Sequence, residues 1–183
     1  MSTLLVVAVI AVAAAVTAVA TAVALRARHA RAPHGARRIL FPMAGRSLST
    51  SALDAAIRIA HAEGGTLVAA YLAPVALHLP LDAALLRECD TALPLLEAVE
   101  HRAAAAGVPV ETRIERGRGY RHAFREVVDH ETFDRIVIAA SPEGAPGFSA
   151  EDVAWLLRHA PGDIVVVRPG DEASAAMRLP AAA

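Results

Sequence analysis

The residues whose types and spacing could do chemistry are arginines grouped around two glycines. Arg116 and Arg118 flank Gly117, Gly119 follows, and Arg46 comes shortly after a separate apolar segment. Arginine presents a planar fork of N–H donors that binds carboxylate or phosphate through two parallel hydrogen bonds. The grouping could therefore hold a nucleotide or another anion. Its further members in the sequence are Arg113, Arg121, His122 and Arg125.

A second pattern that could serve such a ligand is the G-x2-G of Gly144 and Gly147, although an isolated G-x2-G marks a turn more often than a phosphate cradle. The candidate anion or nucleotide crevice thus comprises Arg46, Arg116, Arg118, Gly144 and Gly147. The alternative is a solvated surface in which acids balance the arginines, namely Glu111, Glu115 and Glu126. We favour the solvated surface, because the chain has no lysine and exposed charged side chains are the rule.

Catalytic and metal-binding patterns are weak in this chain. The segment Gly45–Ser49 is similar to a nucleophile elbow, but it lacks the second glycine and follows the first strand. Its serines are better explained as helix caps. The eight histidines contain no His-x3-His pair, and a single cysteine gives no zinc spacing. We therefore predict no catalytic residues, no metal site and no enzyme activity.

Apolar runs bounded by turn signals predict strands, and periodic segments predict the helices between them. The predicted strands are residues 38–43, 66–72, 108–114, 133–140 and 163–168. The predicted helices are residues 52–62, 83–106 with a division into two at Pro94, 121–130 and 150–159. This alternation predicts an α/β domain with a parallel sheet. Ligands bind such sheets at the carboxyl ends of the strands, here after Met43, Ile114 and Ala140.

The N-terminal segment is a different kind of element, because residues 3–25 carry no charge and are all apolar or small. A bilayer core of ~30 Å is spanned by about 20 apolar helical residues, so the run is long enough for one transmembrane helix. Five arginines follow it before any acid, which predicts an external N-terminus and a cytoplasmic C-terminal domain. A cleaved secretory signal is the alternative, but such signals carry positive charge before a shorter apolar core.

These patterns divide the chain into a transmembrane anchor at 1–26, a basic hinge at 27–37, an α/β domain at 38–170 and a flexible tail at 171–183.

Five of the 18 basic residues precede Ile39, so the rest of the chain carries 13 arginines against 19 acids, a net charge of −6. A domain this acidic is a poor binder of nucleic acid. The lone Cys89 cannot form an internal disulfide, as is usual in a reducing cytoplasm.

Three parts of the α/β domain resemble the universal stress protein family. Arg38–Pro42, followed by a serine-rich helix start, resembles the family's opening strand, and Phe133–Ser141 resembles its fourth strand. Leu156–Pro161 followed by Ile164–Val167 resembles its closing helix and strand. The resemblance covers residues 38–169 and implies a five-stranded parallel sheet of order 3-2-1-4-5, sandwiched by helices. It also implies a homodimer whose contact includes Val165, Val166 and Val167.

Many members of that family bind ATP through an acidic residue after strand one and a G-x2-G-x9-G-S/T loop after strand four. This chain departs from both features. Ala44 stands at the acidic position, and other residues replace the loop's glycines and serine: Ala140, Glu143, Ala150 and Glu151. The segment Ser149–Asp152 is similar to a capping box and places two carboxylates where phosphate would bind. We therefore expect that ATP binding of the family type is lost and that no cofactor is bound.

The leading hypothesis is a membrane-anchored binding or scaffold module on the cytoplasmic face of the cell membrane. It would contact the bilayer through residues 3–25 and would be an accessory subunit of a membrane transporter or another membrane complex. A second hypothesis is a nucleotide- or anion-responsive stress regulator that binds through Arg46, Arg116 and Arg118. A hydrolase is the weakest hypothesis, because neither a base nor a nucleophile is recognisable.

Overall fold

The computed structural model describes residues 37–83, 85–141, 147–168 and 177–178. The chain divides into two compact units, Met1–His34 and Gly35–Ala183, and every described residue belongs to the second. The expected transmembrane anchor at 1–26 lies outside the described residues. Within the part of the chain that the structure describes, no helix is both long enough and apolar enough to cross a bilayer.

A five-stranded parallel sheet forms the centre of the second unit. In chain order the described strands are β1 (Arg38–Met43), β2 (Ser47–Leu48), β3 (Thr66–Pro74), β4 (Val110–Gly117), β5 (Arg135–Ala139), β6 (Asp163–Val167) and β7 (Met177–Arg178). The sheet order is β4-β3-β1-β5-β6. The short strand β2, which the sequence did not predict, lies outside this sheet and shifts the strand numbers. Numbered without it, the five sheet strands follow the expected order 3-2-1-4-5.

Four helices cover the two faces of the sheet in the described residues: α1 (Thr50–Ala62), α2 (Leu86–Ala105), α3 (Tyr120–His130) and α4 (Ala150–His159). Helices α1 and α2 share one apolar core with the sheet, and α3 and α4 share the other. The alternation of side chains along each strand separates the two cores, as Phe41 packs with the first and Leu40 with the second. The predicted α/β sandwich is therefore correct.

Burial follows the position of each strand in the sheet. All residues of β1 and β3 are buried except Arg38 and Pro74. This burial is expected for central parallel strands that are covered on both faces. Strand β4 is half-exposed along most of its length and forms an edge, the usual position for a strand with a proline at its entry, here Pro109. It also extends to Gly117, so Arg116 belongs to the strand and not to the loop after it.

The predicted division of the second helical region at Pro94 is wrong. Helix α2 runs unbroken from Leu86 to Ala105 with Pro94 inside it. Proline removes one backbone hydrogen bond and strains the preceding turn. Pro94 itself is exposed, whereas its neighbours Ala92, Leu95 and Leu96 are buried against the sheet, and the packing of the helix through them outweighs the local cost.

Strand β7 pairs antiparallel with β2, so that Ser47 lies opposite Arg178 and Leu48 opposite Met177. Residues 177–178 belong to the stretch 171–183, which the sequence analysis treated as a tail. The pair sits directly after the loop that follows β1.

Candidate functional site

The two central strands separate before their carboxyl ends. Strands β1 and β5 pair only at Ile39–Arg135 and Leu40–Ile136, although β1 continues to Met43. Pro42 has no N–H to donate to either neighbouring strand. Because the order of the sheet reverses between β1 and β5, this separation is the position at which open α/β sheets bind ligands.

On the β1 side, a buried tyrosine fixes the loop. The Tyr71 hydroxyl donates a hydrogen bond of 3.0 Å to the Gly45 carbonyl, and its residue is 4% exposed. Burial is the main reason that the pKa of Tyr71 is raised to about 12, and Tyr120 and Glu88 add to the shift. The hydroxyl therefore stays a neutral donor across the physiological range and holds the loop in place.

The position next to that loop carries no acid. Ala44 packs its methyl group, half-buried, against the apolar core beneath α3 and α4. Arg46 is exposed and makes no hydrogen bond or ion pair with any described residue. A cation is thus available at this edge, but the acidic residue that the family pattern has after the first strand is missing.

On the β5 side, Phe148 bonds to residues at the end of the strand. The Ser141 N–H donates to the Phe148 carbonyl at 3.0 Å, and the Phe148 N–H donates to the Ala139 carbonyl at 2.7 Å. Gly147 has φ of +130°, and a Cβ there would lie 2.6 Å from the Ala139 carbonyl oxygen. A glycine is therefore needed where residue 147 approaches the end of β5, whereas Gly144 lies outside the described residues.

The first turn of α4 is already capped by its own side chains. The Ser149 hydroxyl accepts from the Asp152 N–H at 3.2 Å and donates to the Asp152 carboxylate at 2.8 Å. The predicted cap is confirmed, although the carboxylate binds the serine hydroxyl and not its backbone N–H. A helix N-terminus attracts phosphate through free amides, and here one of those amides is bonded and a carboxylate lies beside it.

Arg121 of α3 reaches the same turn. Its guanidinium donates to Glu151 at 2.8 Å and to Asp152 at 3.1 Å, and these two bonds raise its pKa. Both carboxylates of the first turn are therefore paired with a cation from the neighbouring helix. No sequence pattern predicts this contact, because Arg121 and Glu151 are 30 residues apart.

The remaining arginines do not converge on one ligand position. The Arg118 guanidinium donates to the carbonyls of Ala76 and Leu79 at 2.8 and 2.7 Å. The Arg125 guanidinium lies 5.1 Å from the centre of the Trp155 ring, a cation–π contact. Arg116 is exposed and, within the described chain, has no hydrogen-bonding or ion-pair partner. Of the three predicted binding arginines, Arg46 and Arg116 are free of such contacts and Arg118 is not.

Arg113 belongs to an ionic network with the start of β1. It pairs with Glu131 at 2.7 Å, and Arg38 also pairs with Glu131 at 2.7 Å and with Glu111 at 2.9 Å. The hydrogen bond from Arg113 is the main cause of the lowered pKa of Glu131, and it also raises the pKa of Arg113. Arg38 is the first residue of β1, so the network joins the amino end of that strand to the end of α3.

The last strand offers an open edge. Strand β6 pairs with β5 on one side and ends the sheet on the other. Val165 and Val167 are half-buried against the α1 and α2 core, and Val166 is 42% exposed.

In the described residues no group of three or more His, Cys, Asp or Glu side chains could hold a metal ion.

The universal stress protein family model matches residues 35–168, which contain both cores and both sides of the crevice. The chain belongs to the universal stress protein family. Among solved structures, the universal stress protein UspA of Lactobacillus plantarum is 26% identical, with a TM-score of 0.58 over 72% of this chain and 97% of that one. The comparison with curated proteins gives no match.

Two other universal stress proteins share the fold and were solved with nucleotides. One, in complex with cAMP, is 21% identical with a TM-score of 0.54 over 72% of this chain and 96% of that one. The other, from Arabidopsis thaliana with AMP bound, is 13% identical with a TM-score of 0.53 over 74% of this chain and 94% of that one. The family fold that the sequence implied is therefore confirmed.

Proposed function

We propose that this universal stress protein domain is a non-enzymatic binding module that does not hold ATP in the manner of its nucleotide-binding relatives. The observation that carries the proposal is the closed first turn of α4, where Ser149 and Asp152 bond to each other and Arg121 pairs with both carboxylates. A triphosphate arriving there would have to displace these bonds and approach two carboxylates. Ala44 adds to the argument, because it removes the acid after β1.

The module would be attached to the cell membrane through residues 3–25, with the N-terminus outside and the domain in the cytoplasm. The uncharged length of that segment and the five arginines after it support the attachment. In this position the domain would act as an accessory subunit of a membrane transporter or another membrane complex. It would form a homodimer through β6, as in the family pattern.

Membrane extraction tests the attachment. The full chain should stay in the membrane pellet after alkaline carbonate washing and dissolve only in detergent, whereas residues 35–183 should be soluble. Release of the full chain by carbonate would contradict a spanning anchor. A C-terminal tag that resists protease in intact cells, beside an accessible N-terminal tag, would agree with the orientation, and the reverse pattern would contradict it.

A second candidate function is a regulator that responds to a mononucleotide or another small anion. Two observations favour it: the exposed, unpartnered Arg46 lies beside the separation of β1 and β5, and solved universal stress proteins carry cAMP or AMP. Equilibrium dialysis with AMP, cAMP and inorganic phosphate tests it. Saturable binding that is lost in Arg46→Ala and Arg116→Ala, but kept in Arg58→Ala on the exposed side of α1, would support this function. Binding that survives all three changes would place the ligand elsewhere.

A further inference from the structure

The loop between β3 and α2, with the first residue of that helix, carries most of the exposed leucine of the described domain. Leu77 is 85% exposed, Leu86 74%, Leu81 41% and Leu79 37%. Only four other large apolar side chains reach comparable exposure in the described residues, and they are scattered over α2, α3, α4 and β6: Leu93, Tyr120, Leu157 and Val166. Single exposed leucines need no explanation, but a cluster of four marks an interaction surface.

The exposed conformation of this loop is held by hydrogen bonds. Arg118 places its guanidinium against the carbonyls of Ala76 and Leu79. The Val75 N–H also donates to the Gly117 carbonyl at 2.7 Å, and the Leu79 N–H to the Ala76 carbonyl at 3.0 Å. A loop fixed by a charged side chain loses less conformational freedom when its leucines meet an apolar phase, which favours binding.

Three of these leucines, Leu77, Leu79 and Leu86, border a shallow groove of about 640 Å³ at the carboxyl end of the sheet, and Leu81 lies in the same loop. Val75 and Leu85 are buried and form its base, whereas Leu77 and Leu86 stand at its rim. The charged residues that line it are Arg87, Glu88 and Arg118, and Asp82 is exposed in the loop itself, so the two signs balance. The surface is therefore suited to burying its leucine side chains in an apolar phase, and not to binding a partner through one sign of charge.

We propose that this leucine surface, formed by Leu77, Leu79, Leu81 and Leu86, inserts into the interfacial region of the lipid bilayer to which the chain is anchored. The inference rests on the anchor of the proposed function. Residues 26–37 can span at most about 40 Å when extended, and the nine residues of β3 span about 30 Å, so the carboxyl end of the sheet can reach the bilayer that holds residues 3–25. The anchor keeps the local concentration of lipid high, so the leucine surface would be inserted for much of the time even if its intrinsic affinity for lipid is weak.

Site-directed labelling of the full chain tests this inference. With Cys89→Ala as background, a nitroxide is attached at Leu77→Cys or, as a matched control, at Leu157→Cys, an exposed leucine of α4. Both proteins are reconstituted in phosphatidylcholine nanodiscs. The label at 77 should collide several-fold more with oxygen and several-fold less with an aqueous nickel chelate than the label at 157.

Each other outcome overturns the inference in a recognisable way. If the protein elutes with nanodiscs but both labels collide with the nickel chelate, the anchor stands and the leucine surface does not insert. If the label at 77 is shielded from both oxygen and nickel, a protein surface or a second copy covers it instead of lipid. If the protein does not elute with nanodiscs at all, the anchor fails and the inference fails with it.

Discussion

Ser149 and Asp152 satisfy each other at the start of α4: the serine hydroxyl lies 2.8 Å from the aspartate carboxylate and 3.2 Å from the aspartate N–H. The turn that would present free amides to a phosphate is thus occupied by side chains of the same turn. Arg121 neutralises the carboxylates from the neighbouring helix. Under the proposed function, the same contacts that stabilise the start of α4 also exclude a phosphate from it.

Removal of the cap should destabilise the domain. In Ser149→Ala the Asp152 N–H loses its acceptor, and N-cap losses of this kind typically cost about 1 kcal/mol. Urea denaturation of residues 35–183, followed by circular dichroism, measures the change. Thr132→Ala, at an exposed threonine without a hydrogen bond to the described residues, should stay near the wild type. Equal stability of the two variants would show that the cap contributes nothing.

A close approach between β4 and α3 predicts a sharp difference between two glycines. A Cβ at Gly117 would lie 2.2 Å from the Ala123 backbone nitrogen, whereas a Cβ at Gly119 would meet nothing within 4 Å. Gly117→Ala should therefore destabilise the domain by about 1–3 kcal/mol or prevent folding, because backbone must move. Gly119→Ala should cost less than about 1 kcal/mol, the usual scale of a weakened N-cap. Similar melting temperatures for the two variants would contradict this packing.

The buried Tyr71 predicts a loss of stability in strong alkali. Its pKa in the folded domain is about 12, above the usual value of 10.0, so the folded state keeps the proton longer than the unfolded state. The free energy of unfolding should fall as pH rises from about 10 towards 12. Absorbance at 295 nm should show one tyrosine that titrates late, and this late step should vanish in Tyr71→Phe but remain in Tyr120→Phe.

The same substitution tests the hold on the loop after β1. Tyr71→Phe leaves the Gly45 carbonyl without its 3.0 Å donor and should cost about 1 kcal/mol at neutral pH. Stability equal to the wild type at neutral pH would mean that the hydroxyl is not bonded to the Gly45 carbonyl in solution.

The exposed edge of β6 predicts an interface. We expect residues 35–183 to form a homodimer in analytical ultracentrifugation, with Val166 at the contact, because this valine is 42% exposed on an edge strand. Val166→Arg should give a folded monomer. Leu93→Arg, at a leucine of α2 that is 52% exposed, should remain dimeric. A monomeric wild-type protein would contradict the homodimer. A dimer that persists in Val166→Arg would show that the interface lies elsewhere.

The sheet and its helices were predictable from the sequence, because their signals are local. Apolar runs predicted β1 and β3, and Ser149 predicted the start of α4. The predicted division of the helical region at Pro94 is wrong, because packing of α2 on the sheet outweighs the local cost of proline.

The candidate site was less predictable, because its contacts join residues far apart in the chain. The sequence grouped Arg113, Arg116, Arg118 and Arg121 as neighbours, yet three of them bind different distant partners. Tyr71 was not among the predicted site residues, although a tyrosine inside an apolar strand implies a hydrogen-bond partner for its hydroxyl. Pairing of Arg121 with Glu151 had no sequence signal at all.

The central claim is that the family's phosphate position is closed in this protein, and calorimetric titration with ATP and magnesium tests it most directly. Residues 35–183 suit the measurement, because every buried core residue of the described chain lies between Ile39 and Leu156. The account predicts no saturable heat with ATP beyond an inorganic phosphate control. Heat that saturates at micromolar ATP would contradict it, and would mean that the bonds of Ser149, Asp152 and Arg121 open to admit a nucleotide.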